Sequence, residues 1–159
     1  MKGINYVASV LRVYRRALDE YLADPAGWRC RPEWMEELSK MSHRGYTTGF
    51  LFGEPRAVGQ EYDSAYIRSH EFVGLVEERR PDGSTLIEVR NRIRIGDELE
   101  FIGPGMRSAR MTVEHLRLLD HQGCLSAAES VNPNQRVLME LPFAAEAFDI
   151  IRREKIGAA

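Results

Sequence analysis

A chain of 159 residues with 43% hydrophobic residues can bury one core, or a compact core with a helical appendage, but not two full domains. Its 22 basic and 24 acidic residues leave a formal net charge of -2, which excludes the overall basic excess typical of nucleic-acid-binding proteins. Any such role must therefore depend on a local patch. The two cysteines, Cys30 and Cys124, form no CxxC motif, so the sequence supports neither a disulfide framework nor a cysteine-rich metal cluster.

The first predicted element is an amphipathic helix over residues 5–22. Apolar residues recur along it with a period of about 3.6 residues, which predicts one apolar stripe. Arg12, Arg15 and Arg16 are expected on the water-facing side, and they also interrupt any signal-peptide or membrane-spanning run. The stripe comprises Val7, Val10, Leu11, Tyr14, Ala17, Leu18, Tyr21 and Leu22.

A second, shorter helix is predicted from Pro32 to about Met41. The stretch DPAG ends the first helix, and the fixed φ of Pro32 suits the first turn of the next one. Trp34 and Leu38 are expected on its buried side together with Met41. Trp28 and Trp34 are expected to pack the two helices on each other or on the domain that follows.

Downstream of Ser42 the sequence predicts short β-strands, because β-branched and aromatic residues alternate with polar ones between Gly and Pro residues. The two longest runs are expected to form a hairpin across the turn-forming residues 80–84. A change of phase within residues 110–119 indicates a bulge. The predicted strands cover residues 70–79, 85–95, 97–102, 110–119 and 137–141.

Short strands with tight turns favour a closed or nearly closed antiparallel barrel over a parallel sheet. The expected fold is therefore mainly β, with a small barrel preceded by two N-terminal helices. We expect residues 1–42 to form the helical lead-in and residues 43–159 to form the barrel, whose interior side chains leave no cleft for reaction chemistry. Residues 95–103 (IGDELEFIG) are also similar to a strand start in the second-domain β-barrels of translation elongation factors.

Three arginines provide the first candidate binding surface. Arg90, Arg92 and Arg94 alternate along predicted strand 85–95, so they are expected to share one face. Together with Asn91 they could contact RNA, because guanidinium groups bind phosphate oxygens bidentately and stay charged. The alternative is an ordinary solvated strand face. The residues expected to face the core are Val89, Ile93 and Ile95.

The segment SHRGYTTGF (residues 42–50) provides the second candidate surface. Tyr46 or Phe50 could stack on a base, and Arg44 could pair with a phosphate or with a carboxylate of another domain. His43 adds a titratable group, and Thr47 adds a hydroxyl. The alternative is a structural contact between the helices and the barrel.

Four segments together resemble a known family. These are YVASVLRVYRRALD (residues 6–19), SHRGYTTGF (42–50), IEVRN (87–91) and NPNQ (132–135). They resemble the C-terminal part of the collagenase-like peptidase family U32, across almost the whole chain. Members carry an N-terminal TIM-barrel-like catalytic domain, with a cysteine-rich cofactor- or metal-binding portion in several branches. The resemblance implies that this chain begins at, or just after, the last helix of that domain.

The resemblance also implies a function. Some bacterial members take part in prephenate-dependent hydroxylation of a tRNA wobble uridine, and others in hydroxylation of an rRNA cytidine, although the family was named for peptidases. We therefore expect a cytoplasmic, non-catalytic accessory domain without a cofactor. It would position tRNA, rRNA or a protein substrate for the catalytic domain of the same polypeptide, without membrane contact. The alternative is a stand-alone RNA-binding β-barrel module.

Chemistry by the chain itself has weak support in the sequence. Ser42 and His43 are adjacent, but a catalytic triad requires convergence in space with an oriented base. His115, His121 and Cys124 do not form a typical set of zinc ligands. We therefore predict no catalytic residue and no metal site in this chain.

Overall fold

The computed structural model describes residues 3–41, 51 and 69–155, where two helices precede an antiparallel β structure. Helix α1 spans Ile4–Ala23 and helix α2 spans Pro32–Ser39, close to the predicted bounds. The rings of Trp28 and Trp34 lie 6.1 Å apart between their centroids, which confirms that these two residues pack the helices together. No helix in the described ranges is long and apolar enough to cross a membrane.

Within residues 69–155, the β structure consists of ten strands and one short 3-10 turn at Pro104–Met106. The hairpin predicted across residues 80–84 is confirmed, with Gly83 in the left-handed conformation that its turn requires. The strands are β1 (His70–Arg79), β2 (Ser84–Val89), β3 (Ile93–Arg94), β4 (Glu98–Ile102), β5 (Ser108–Thr112), β6 (Arg117–Leu119), β7 (Leu125–Ala127), β8 (Ser130–Val131), β9 (Arg136–Glu140) and β10 (Ile150–Glu154).

Eight of these strands form one sheet in the order β5-β4-β10-β1-β2-β9-β6-β7, which curls into a half-barrel. Strand β10 pairs with both β1 and β4, so the end of the described chain lies in the middle of the sheet. Strands β5 and β7 are the two edges, and β3 with β8 forms a separate two-stranded ribbon. The structure thus confirms a mainly β fold with a nearly closed barrel after two helices.

The core lies on the inner side of the curled sheet. Side chains at alternate strand positions point to the same face, so the core residues of β2, β4 and β9 recur at every second position. The rings of Phe101 and Phe143 meet edge to face, with 5.2 Å between their centroids. The buried core comprises Val73, Val76, Ile87, Val89, Ile93, Leu99, Phe101, Val113, Leu116, Val131, Val137, Met139, Ala145 and Ile151.

The prediction of one strand over residues 110–119 is wrong. Residues 110–119 do not form a single bulged strand, because β5 ends at Thr112 and β6 begins at Arg117. Val113 and Leu116 are both buried between them, and Arg117 pairs with Leu138 of β9 instead of continuing beside β4. The change of phase therefore marks a crossing from one part of the sheet to another.

The predicted orientation of α1 is also wrong. Arg12, expected to face water, is buried with Ser9 and Val13 against the rest of the chain. It tolerates burial because its Nη1 donates to Glu37 Oε1 at 3.4 Å and its Nη2 donates to the Arg107 carbonyl oxygen at 2.9 Å. Burial lowers the pKa of Arg12, and the Glu37 charge opposes this effect. Much of the predicted apolar stripe is exposed instead.

A buried ionic network attaches the helices to the barrel. Arg152 of β10 is fully buried, and its Nε donates to Glu100 Oε2 at 2.7 Å. Burial alone would raise the pKa of Glu100, but the hydrogen bond and charge of Arg152 outweigh it, so this pKa falls to about 2. The pKa of Glu37 in α2 is lowered for the same reasons. Both carboxylates are therefore charged inside the protein.

Candidate nucleic-acid interface

Two of the motifs singled out in the sequence meet at one corner of the barrel. The backbone N–H of Val89 donates to the Gln135 carbonyl at 2.9 Å, and the N–H of Asn134 donates to the Val89 carbonyl at 2.7 Å. Asn134 takes a positive φ of 66°, which asparagine tolerates better than most residues. The segments IEVRN and NPNQ therefore form one local structure.

The chain turns sharply at this corner. The N–H groups of Arg90 and Asn91 both donate to the Val73 carbonyl, at 2.7 and 2.9 Å. These bonds end β2 at Val89, so the prediction of one strand over 85–95 is wrong. Ile95, expected in the core, is 49% exposed in the turn that precedes Gly96, which has a φ of 90°. Val89 and Ile93 are buried, as predicted.

The first two polar residues of the corner already have partners. Arg90 Nη2 donates to Glu88 Oε2 at 3.1 Å, so a neighbouring carboxylate offsets its charge. Asn91 Nδ2 donates to the Phe72 carbonyl at 2.6 Å and holds the corner against β1. Arg90 and Asn91 therefore belong to the internal bonding of the corner, and the three arginines do not form one row on a strand.

Arg92 and Arg94 lie beside the ribbon that β3 and β8 form. Arg92 immediately precedes β3, and Arg94 is its last residue. Arg94 is opposite Ser130 in the strand pairing, and Arg92 Nη2 lies 3.5 Å from Ser130 Oγ. Both arginines are exposed, and within residues 3–41, 51 and 69–155 neither guanidinium forms an ion pair. Arg94, Ile95, Glu129 and Ser130 line a shallow depression of about 420 Å³.

Most other arginines of the chain are paired with a carboxylate. This contrast matters because exposed ion pairs project little net charge. Arg92 and Arg94 therefore give a local positive surface on an acidic chain, with Glu129 as the nearest acidic residue of the depression. The paired arginines are Arg12, Arg15, Arg16, Arg31, Arg80, Arg90, Arg107, Arg110, Arg117, Arg136, Arg152 and Arg153.

The backbone that carries these two arginines is firmly held. Arg153 Nη1 donates to the Arg92 carbonyl at 3.2 Å, and Asp97 Oδ2 accepts a hydrogen bond from the Arg94 N–H at 2.8 Å. Arg153 also pairs with Glu71 and Asp97. Burial alone would lower the pKa of Arg153, but its bond to Glu71 and the charges of both acids raise it. The ribbon is therefore fixed before any ligand arrives.

The second candidate surface lies outside the described residues. This holds for its five candidate residues, which are His43, Arg44, Tyr46, Thr47 and Phe50. Their contacts with RNA or with another domain stay predictions.

The sequence did not indicate a large open groove of the barrel. An open groove of about 870 Å³ runs between edge strand β5 and strands β6 and β9. His115 and Glu114 lie in it, and Arg117 Nη2 pairs with Glu140 Oε1 at 3.2 Å on its wall. No group of three His, Cys, Asp or Glu residues in the described ranges could hold a metal ion. The groove forms only when the sheet curls, so no short motif could predict it.

The fold and its exposed arginines define a class of small, mainly β modules with a helical lead-in and a local cationic ribbon. The chain belongs to peptidase family U32. The model described as "Peptidase family U32 C-terminal domain" matches residues 68–152, and the model described as "Peptidase family U32" matches residues 1–61. The family resemblance of the four sequence segments is thereby confirmed.

Two curated relatives have names that refer to tRNA. The chain is 39% identical to tRNA hydroxylation protein P1 of Bacillus subtilis over 116 residues, which are 72% of this chain and 28% of that protein. It is 32% identical to tRNA hydroxylation protein P of Escherichia coli over 117 residues, which are 72% of this chain and 25% of that protein. The chain thus spans about a quarter of these relatives' length.

A solved structure is also similar to part of the chain. It is the C-terminal domain of a Geobacillus thermoleovorans protein assigned to the U32 peptidases. The sequences are 28% identical, and the match covers 52% of this chain and 99% of that one with a TM-score of 0.45.

Proposed function

We propose that this chain is a non-catalytic accessory domain that positions tRNA for a U32-type catalytic domain of the same polypeptide, in the cytoplasm. The observation that carries the proposal is the pair of exposed arginines, Arg92 and Arg94, which form no ion pair with a described residue and lie where the motifs IEVRN and NPNQ meet. The names of the curated relatives favour tRNA over a protein substrate. The catalytic domain itself is inferred from family membership.

The chemistry of the two side chains fits a phosphate backbone. A guanidinium stays charged at any working pH and donates two parallel hydrogen bonds to phosphate oxygens. Such contacts orient a nucleic acid without reading its bases, as expected of a positioning domain. Because hydrogen bonds already fix the backbone at Arg92 and Arg94, the backbone there loses little conformational entropy on binding.

Binding of tRNA by the purified chain tests the phosphate contact. In a titration with mixed tRNA, we expect the R92A/R94A double variant to bind at least about tenfold more weakly. In a plot of the logarithm of the affinity against the logarithm of the salt concentration, the slope should also become shallower by about two, because about two fewer counterions are released. The matched control is R15A/R16A, which removes two arginines already paired with Asp19 and Glu20 on α1. Equal loss in both variants, or negligible binding by the parent chain, would contradict the proposal.

A chimera tests the accessory role against the stand-alone alternative. The region of Bacillus subtilis tRNA hydroxylation protein P1 that matches this chain is replaced by the chain, and hydroxylated nucleosides in cellular tRNA are measured by mass spectrometry. We expect the chimera to restore the modification, R92A/R94A to reduce it, and the purified chain alone to show no turnover. If the chain binds tRNA tightly but the chimera is inactive, the stand-alone RNA-binding module is favoured.

A further inference from the structure

Helix α1 presents an apolar face that no described residue covers. From Ile4 to Tyr21 its members recur at alternating spacings of three and four residues, and Leu22 follows Leu18 by four, which places them on one side of the helix. They are between 45% and 72% exposed, although isolated apolar side chains rather than whole stripes are the norm on protein surfaces. This α1 apolar face comprises Ile4, Val7, Leu11, Tyr14, Leu18, Tyr21 and Leu22.

The barrel of the same chain occupies a different side of α1. Ser9, Arg12 and Val13 are the buried residues of the helix. Ser9 Oγ lies 3.5 Å from Arg152 Nη1, and Arg12 donates to the Arg107 carbonyl. These contacts fix the rotation of α1 about its axis, so the α1 apolar face cannot turn inward without breaking the buried ionic network.

A hollow beside this face would accept apolar side chains. It has a volume of about 410 Å³, lies between α1 and α2, and is lined almost wholly by apolar groups. Trp28 and Trp34 form its floor together with Met35, which is itself 50% exposed. Aromatic and Met side chains of this kind are enriched at the centres of protein–protein interfaces.

The charges around the face favour a protein partner over RNA. Arg15 pairs with Asp19 at 2.7 Å, and Arg16 pairs with Glu20 at 2.6 Å. Each arginine therefore has its counterion one turn along the helix, and the flank of the face carries little net charge. Nucleic acid requires unpaired cations, whereas an apolar protein surface does not.

We propose that the α1 apolar face docks on the catalytic domain of the same polypeptide. The helices fall within the match to the main family model, residues 1–61, whereas the barrel falls within the match to the C-terminal domain model. In the curated relatives, about three quarters of the polypeptide lies outside the region that this chain matches, which supplies a partner of the required kind. This inference rests on the accessory role proposed above and adds the surface through which it acts.

Side-chain footprinting tests the docking directly. The isolated chain and the Bacillus subtilis chimera are labelled with a photoactivated carbene, and labelling of Leu11 and Leu18 is compared with that of Leu125, which is 46% exposed on β7. We expect the labelling of Leu11 and Leu18, divided by that of Leu125, to fall at least about fivefold in the chimera, because the centre of an interface is fully buried. An unchanged ratio would overturn the proposal, as would weak labelling of Leu11 and Leu18 in the isolated chain.

A substitution series separates this inference from the tRNA contact. We expect L11E/L18E to lower tRNA modification by the chimera at least about tenfold while leaving the tRNA affinity of the isolated chain unchanged. L125E places the same charge on another exposed leucine and should leave both unchanged. Carbene labelling of Tyr14 and Tyr21 on the same face of the L11E/L18E chimera reports the loss of docking even if less of the chimera is obtained. The three-and-four spacing also suits a second copy, so a tight dimer of the isolated chain that L18E dissociates would overturn the proposal.

Discussion

Arg152 of β10 and Glu37 of α2 form a bidentate pair, with Nη1 donating to Oε1 at 2.8 Å and Nη2 donating to Oε2 at 2.7 Å. Both side chains are buried, and Arg152 also holds Glu100 of β4. One guanidinium therefore bridges the helices and the sheet. It fixes the orientation of the α1 apolar face relative to the barrel, and so relative to Arg92 and Arg94 at the ribbon of β3 and β8.

Removing this guanidinium should strongly destabilise the chain. We expect Arg152→Met to lower the free energy of unfolding by about 3–5 kcal/mol, because Glu37 and Glu100 would remain buried without their shared partner at 2.7 Å, and the remaining cations, Arg12 and Lys40, lie at 3.4–3.5 Å. Urea denaturation followed by circular dichroism measures the loss. Arg136→Ala breaks a more exposed pair with Glu77 and should cost less than about 1 kcal/mol. Similar losses in the two variants would contradict the assigned role.

Replacing Arg152 and Glu100 together should restore part of that stability. The variant R152M/E100Q keeps similar side-chain volumes and removes the charge of Glu100, while Glu37 keeps Arg12 as a buried partner. We expect it to be more stable than Arg152→Met alone in the same denaturation experiment. If it is no more stable, the loss in the single variant reflects packing and not uncompensated charge.

The lowered pKa of Glu100 predicts a loss of stability in acid. Its pKa is about 2 in the folded chain against an ordinary value of 4.5, so the folded state favours the charged form. The stabilisation is complete above pH 4.5, and about 3 kcal/mol of it is lost as the pH falls towards 2. Denaturation midpoints at a series of pH values measure this dependence. Glu100→Gln should flatten it, whereas Glu98→Gln, an exposed change on the same strand, should not.

A close backbone contact makes Gly74 sensitive to substitution. A Cβ atom at this position would lie 2.6 Å from the carbonyl oxygen of Glu88 on the neighbouring strand. The contacted atom belongs to the backbone, which cannot move aside as the end of a flexible side chain can. We therefore expect Gly74→Ala to destabilise the chain by roughly 1–3 kcal/mol. Thermal denaturation of Gly74→Ala beside Gly3→Ala, where nothing lies within 4 Å of the added methyl group, checks this value.

The same substitution links the hairpin to the candidate interface. Glu88 pairs with Arg90, at the corner that leads to the ribbon of β3 and β8. Displacement of β2 at Glu88 should therefore weaken tRNA binding by Gly74→Ala even at temperatures where the variant is folded. Unchanged affinity in the folded variant would show that the corner and the ribbon are independent.

Local patterns predicted the helices and the main hairpin well. The apolar period of α1, the proline at the start of α2 and the turn residues 80–84 act within a few residues, so the sequence carries their signal directly. Strand β10 was not predicted, although it lies at the centre of the sheet. Its residues Ile150–Glu154 include two arginines, and only long-range pairing with acids makes burial of Arg152 favourable.

In the candidate site, too, local sequence patterns did not predict the long-range contacts. The sequence indicated that arginines 90–94 could form a cationic surface, but their equal spacing suggested one row. Two hydrogen bonds to the Val73 carbonyl end the strand, and a carboxylate two residues earlier pairs with Arg90. Of these three arginines, only Arg92 and Arg94 have no ion pair with a described residue. Contacts between distant residues therefore decided which of the arginines are available.

The sequence by itself determined the family, the mainly β class, the helical lead-in and the apolar stripe of α1, because these follow from local composition, spacing and motif. Tertiary structure alone decided which side of each element is buried. Arg12 is buried while Leu11 is exposed, because the barrel fills only one side of the helix, and hydrogen bonds to Glu37 and to the Arg107 carbonyl offset part of the cost of burying the charge. Burial is a property of the partners that folding brings together, and neighbouring residues in a sequence do not specify those partners.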